Sequence, residues 1–336
     1  MPPIRLFAFC LTLFLILQAL PGQAQQLPAQ PRQAAEAKPL QVMFLYGSPS
    51  HPSGMHEFRA GALLLAKQFN NQDAVPIKTH THAGWPKDES ILDDMDAVVI
   101  YADGTKVIRH GWEKMDALVK EGVGVMMIHY AVHPPIKEGE KYFLPWMGGY
   151  FENGHSVNPI WAATIKPLDK HAVSQGVEPF TAKGEFYFNL KYAEGMIPLG
   201  VATPTKDNLY SINNLWTQTG YEAMGKPQAL LWGYDRPAPG QGRGAGFTGG
   251  HFHNNWAVDD LRRIVLNTIV WVAGGDVPEG GVPITKVTEE ELNANLDKKS
   301  KMNHIELPKP CDCEFTPGHL LTPEQHKAGH ARRPKG

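Results

Sequence analysis

One stretch constrains the fold more than any other. Val123-Gly124-Val125-Met126-Met127-Ile128 runs straight into His129-Tyr130-Ala131-Val132-His133. Six consecutive residues with no charge and no hydrogen-bonding side chain suit a strand buried on both faces, the usual state of a central parallel strand. His129 falls where that strand must end. Ligands of open α/β sheets bind outside the carboxyl ends of the strands, so a titratable residue there is a functional candidate. The competing reading is a histidine that only hydrogen-bonds at a strand end.

The flanking segments predict a layered α/β fold. Residues 40–46 read as a first strand and 47–54 as a loop. Residues 55–71 read as a helix with Phe58, Ala62, Leu65 and Phe69 at helical spacing. Strands follow at 75–81 and 96–101, then a helix at 111–120 that stops at Gly122. This alternation predicts a parallel sheet with helices on both faces. The loops after the first, third and fourth strands then gather at one edge. They carry His51, His56 and Glu57, then Asp103, then His129 and His133. The second half reads as a more mixed sheet, with strands at 160–166, 185–189, 197–203, 228–234 and 245–248. The last runs into Gly249-Gly250-His251-Phe252-His253, and a helix at 259–273 ends the domain.

Residues 1–24 have the pattern of an export signal: Arg5, an apolar run from Leu6 to Leu20, and small residues before a cut after Ala24. The run is short for a spanning helix, so no stable membrane span is expected and the chain is expected to be periplasmic or extracellular. Residues 25–39 read as a flexible Gln-, Ala- and Pro-rich leader, 40–276 as the folded domain, 277–307 as an extension and 308–336 as a disordered tail. A net charge of −2 with scattered Lys and Arg excludes the basic footprint of a nucleic-acid binder. Fifteen histidines point towards metal or acid/base chemistry. The three cysteines are Cys10, Cys311 and Cys313, so the folded domain contains none. A cysteine nucleophile sits on the tight turn after a buried strand, and here that place holds His129. A Gly-x-Ser-x-Gly elbow is absent as well.

Several short pieces occur in a characteristic order over residues 40–276. They are Gly54-Met55-His56-Glu57, Met127-Ile128-His129-Tyr130-Ala131, Trp146-Met147-Gly148-Gly149-Tyr150-Phe151, Gly184-Glu185-Phe186-Tyr187, Gly242-Arg243-Gly244 before Gly249-Gly250-His251, and Asn267-Thr268-Ile269-Val270-Trp271-Val272-Ala273-Gly274. In these the chain resembles the trehalose-utilization (ThuA-like) family. The resemblance implies a class I glutamine amidotransferase-like (flavodoxin-like) α/β fold, with a mainly parallel sheet flanked by helices on both faces. It also implies a place in disaccharide or glycoside breakdown, on keto sugars made by a partner sugar oxidoreductase. The chain departs from the family pattern where Ser156 follows His155, a position at which many members have Pro, and in a longer insert at 210–223.

Two function classes compete. The first is a metal-assisted sugar enzyme, with His56, His129 and His251 holding a divalent, zinc-like ion. Such a site needs three or four His, Asp or Glu ligands and one open position. Glu185, between Gly184 and Phe186-Tyr187-Phe188, is its candidate general base together with His129. His51, His155 and His253 read better as solvated or strand-end histidines, and Glu57 as a carboxylate favoured by a helix start. The second class is a non-catalytic carbohydrate-binding protein, with Trp146, Tyr150, Trp216 and Trp256 as stacking surfaces. In either class Trp146, Tyr150, Asp103 and Tyr130 are the candidate contacts to a small carbohydrate. Convergence of His129 with its partners within ligand distance favours the enzyme.

Overall fold

The computed structural model describes residues 38–209, 217–237 and 241–309. The expected export signal, nearly all of the leader and of the tail, Trp216 and all three cysteines lie outside them. The first half alternates as the pattern predicts: β1 (Leu40–Tyr46), α1 (Phe58–Asn70), β2 (Ile77–Ala83), β3 (Ala97–Tyr101), α2 (Trp112–Lys120) and β4 (Gly124–Ile128). The second half adds β5 (Gly149–Tyr150), β6 (Ile160–Pro167), β7 (Phe180–Glu185), β8 (Lys191–Tyr192), β9 (Ile197–Ala202), β10 (Gln228–Asp235), β11 (Arg243–Phe247) and the helix α3 (Asp259–Val272). The main sheet has the order β2-β1-β3-β4-β11-β10-β9-β6-β7. Its first five strands are parallel and the remaining pairings are antiparallel. β5 and β8 form a separate two-stranded ladder.

Every residue of β3 and β4 is buried, as an unbroken apolar run requires when both faces are covered. Val42, Phe44, Val99 and Met126 share one core with α1 and α3. Met43, Leu45, Val98 and Val125 share the other with Met115 and Leu118 of α2. Burying each such side chain contributes about 1.5–3 kcal/mol, so the sheet centre is held from both sides. β11 inserts beside β4 with Phe247 opposite Ile128, which brings the chain after each strand to the same edge.

Three expectations change. The strand expected at 185–189 is β7, which pairs with β6 and ends at Glu185 opposite Ile160. Beyond it Phe186 and Phe188 turn into the core, and only a Val157–Phe188 bridge continues. Helix α1 starts at Phe58 and not at residue 55, because Met55 bridges to Phe252 and His56 takes a left-handed φ of 49°. Trp146 and Tyr150 are core residues, each 1% exposed. Trp146 lies on the short helix Leu144–Met147 with its indole N–H on Asp116, and the Tyr150 hydroxyl donates to Glu152. No helix of the described residues is long and apolar enough to cross a membrane.

Candidate metal centre

Four segments deliver the site. His129 follows the last residue of β4 with a φ of 57°, a left-handed turn that throws its ring back across the sheet edge. Non-glycine residues hold such a conformation only where the surroundings over-determine it, and it clusters at functional sites. His56 has the same character. Its backbone N–H donates to the His251 carbonyl (3.0 Å), and the His253 N–H donates to the Gly54 carbonyl (2.9 Å). This short antiparallel contact places the rings of His56 and His251 together. Gly250 has a φ of 108°, open to glycine, and the Tyr101 hydroxyl donates to its carbonyl. Glu185 arrives as the final residue of β7.

The donor atoms converge. His56 Nε2 is 3.0 Å from His129 Nε2 and 3.0 Å from His251 Nδ1, and the last two are 3.3 Å apart. Glu185 Oε2 is 3.3 Å from His251 Nδ1 and 3.6 Å from His129 Nε2. Ligands about 2.0–2.1 Å from a tetrahedral zinc-like ion stand roughly 3.3 Å from one another, so the spacing fits.

The hydrogen bonds behind the rings decide what the ring nitrogens offer. His129 Nδ1–H donates to the Thr248 carbonyl (2.9 Å), and His56 Nδ1–H donates to the Asp103 carboxylate (2.9 Å). Both partners only accept, so in each neutral ring the proton sits on Nδ1 and Nε2 presents a lone pair. Two buried lone pairs therefore face each other at 3.0 Å. That arrangement repels unless a cation, or a hydrogen shared from His251 Nδ1 or the Tyr187 hydroxyl, lies between them. Carbonyl and carboxylate partners on the far ring nitrogen are the usual orienting groups of metal-bound histidine.

The sequence model of the ThuA family, described as trehalose utilisation, matches residues 48–272. The chain belongs to the ThuA family. Among solved structures, a ThuA-like protein from Parabacteroides merdae is similar, with a TM-score of 0.51 at 15% identity, covering 75% of this chain and 100% of its own. One from Bacteroides uniformis has a TM-score of 0.50 at 14% identity, covering 74% of this chain and 98% of its own. These likenesses carry the glutamine amidotransferase-like fold. A search of curated proteins finds no significant match.

In this ThuA chain burial, together with the imidazoles of His56 and His251, holds His129 neutral far below the usual histidine range. Burial takes His56 down to about 4, although the Asp103 hydrogen bond pulls the other way. Burial pushes the Asp103 carboxyl up, but the hydrogen bonds from His56 and Ser50 outweigh it and set it at about 2. Asp103, expected as a substrate contact, is thus the orienting partner of His56. Tyr130 stands half-buried beside the cluster, its ring 6.2 Å from that of His56. His133 is turned away onto Asn153 and Phe151.

His51, expected as a solvated loop histidine, is exposed, and its ring lies 3.7 Å from that of His56. His253 is fully buried and lies outside the donor cluster. Glu57 does not cap its helix but accepts from Gly54 N–H and pairs with Lys299. Ser156, the departure from the family pattern, is a buried structural hydroxyl that joins Glu152 N–H to the Asn189 carbonyl. Two further residues at the site are not singled out by the sequence pattern. Tyr187 brings its hydroxyl to 3.3 Å from His129 Nε2, and Asn158 donates to Glu185 Oε1 (3.1 Å). The alternation Glu185-Phe186-Tyr187 was the available signal for Tyr187, since residues two apart in extended chain share a side.

Proposed function

We propose that this chain is an exported carbohydrate-processing enzyme that holds a divalent, zinc-like cation on His56, His129 and His251, with Glu185 beside them. Its reaction is removal of a proton next to the carbonyl of a keto sugar or oxidised glycoside. The observation that carries the reading is the pair of buried Nε2 lone pairs 3.0 Å apart, each fixed by an acceptor behind it. A cation bound there would supply Lewis-acid polarisation of the substrate carbonyl. The chain's own residues do the rest. Glu185 has the most exposed side chain of the four and is the proton acceptor, with Asn158 steering its carboxylate. The Tyr187 hydroxyl closes the inner wall, and Tyr130 offers a polar contact beside it. Loss of the proton leaves an electron pair on the carbon next to the carbonyl. Reprotonation at the former carbonyl carbon, with the hydroxyl proton of the first carbon passing to the former carbonyl oxygen, is isomerisation. Expulsion from the adjacent carbon of the glycosidic oxygen, which takes up the proton held by Glu185, is elimination. A sugar oxidoreductase would supply the ketone.

The test combines metal analysis with turnover of oxidised and unoxidised disaccharides. His56→Ala, His129→Ala and His251→Ala are expected to lose bound cation and activity together, each at about 1 kcal/mol of stability. Glu185→Gln is expected to keep the cation while turnover on the oxidised sugar falls by roughly 10²–10⁴. A wild-type chain that binds no divalent ion, or a His129→Ala variant with full turnover, overturns the reading.

A further inference from the structure

The ThuA match ends at residue 272, but the described chain continues to residue 309 and packs against the domain. Val282, Val287, Leu292 and Ile305 of this extension join the core on the α1 and α3 face. Gln68 and Thr285 exchange two hydrogen bonds, and Val282 N–H donates to the Asn267 side chain. So anchored, the extension reaches the turn that carries His56.

Lys299 makes the contact. Its Nζ lies 2.9 Å from Glu57 Oε1, and the two side chains are 5% and 0% exposed. The same ammonium donates to the carbonyls of Pro52 and Met55. Glu57 Oε1 also accepts from Gly54 N–H, and Ser53 and Asn303 exchange two further hydrogen bonds. Lys299 therefore grips the turn 52–57 at its start, its middle and its end. A buried ammonium is tolerated only where a carboxylate and carbonyls replace its water, so its position is sharply defined. Within that turn His56 holds its left-handed φ, the conformation from which its ring meets His129 and His251.

We infer that the C-terminal extension is a strap that holds the metal-binding turn, with Lys299 as its positioning residue. The effect on cation binding rests on the function proposed above, whereas the tether itself does not. In the full chain freed of ions, Lys299→Met is expected to raise amide hydrogen exchange across residues 52–57 by about tenfold, with β3 and β4 as protected as in the wild type. Its affinity for added Zn²⁺ or Co²⁺ is expected to fall about 10–100-fold, as when an outer partner of a metal ligand is lost. Lys299→Arg restores both. Glu57→Gln/Lys299→Met, which strands no buried charge, is read in the same way where the single variant does not fold. Unchanged exchange across 52–57 overturns the strap. A wild-type chain that binds neither metal overturns the cation reading, and the exchange measurement then decides the strap by itself.

Discussion

The imidazoles of His56 and His129 are neutral because burial makes their charged forms costly, and this has a consequence for stability. In the unfolded chain each binds a proton below about pH 6.5. In the fold His56 does so only at about pH 4, His253 likewise through burial, and His129 lower than usual for the same reason. Between pH 6.5 and 4 the unfolded chain therefore holds more protons, and acidification favours it. The stability these rings contribute is fully present above pH 6.5 and is lost as the pH falls, by up to about 1.4 kcal/mol per pH unit for each ring. The melting temperature of the ion-free chain is expected to drop steadily across that window. A flat profile would mean that the rings are hydrated or already protonated in the fold.

At the scale of elements, the site depends on how tightly α3 lies against β4. A Cβ at Gly124 would stand 2.0 Å from the Val272 carbonyl oxygen at the end of α3. Backbone cannot yield as a flexible side chain does. Gly124→Ala is expected to cost about 1–3 kcal/mol. It should also weaken cation binding, because β4 carries His129; a variant that melts and binds like the wild type would refute this packing argument. β4 was legible because an apolar run of its length admits few other states, and the helix–strand alternation then placed His56, Asp103 and His129 on one edge. Trp146 was misplaced because glycine-rich aromatic sequence reads as loop, whereas Pro145 and the left-handed Gly148 bound a short helix that buries the indole. Lys299 was illegible. It lies in a polar stretch without periodicity, and its partner Glu57 is remote in sequence.

At the scale of the molecule, residues 277–307 belong to the folding unit. A chain ending at residue 276 would leave the sites of Val282, Val287, Leu292 and Ile305 uncovered. Four such side chains at about 1.5–3 kcal/mol each amount to most of a typical domain stability of about 5–15 kcal/mol. That truncation is expected to give no cooperative thermal transition by circular dichroism; a transition within a few degrees of the full chain would show the extension to be an ornament. The distance along the chain between the donors has a different consequence. His251 leaves the ribosome 195 residues after His56, and the two meet only once β4 and β11 have paired. A nascent chain that stops short of His251 lacks one of the three proposed ligands, so the full set exists only late in synthesis. A cation held as proposed above would therefore be taken up in the compartment in which folding is completed, and its identity would be set by what that compartment supplies as well as by the ligands themselves.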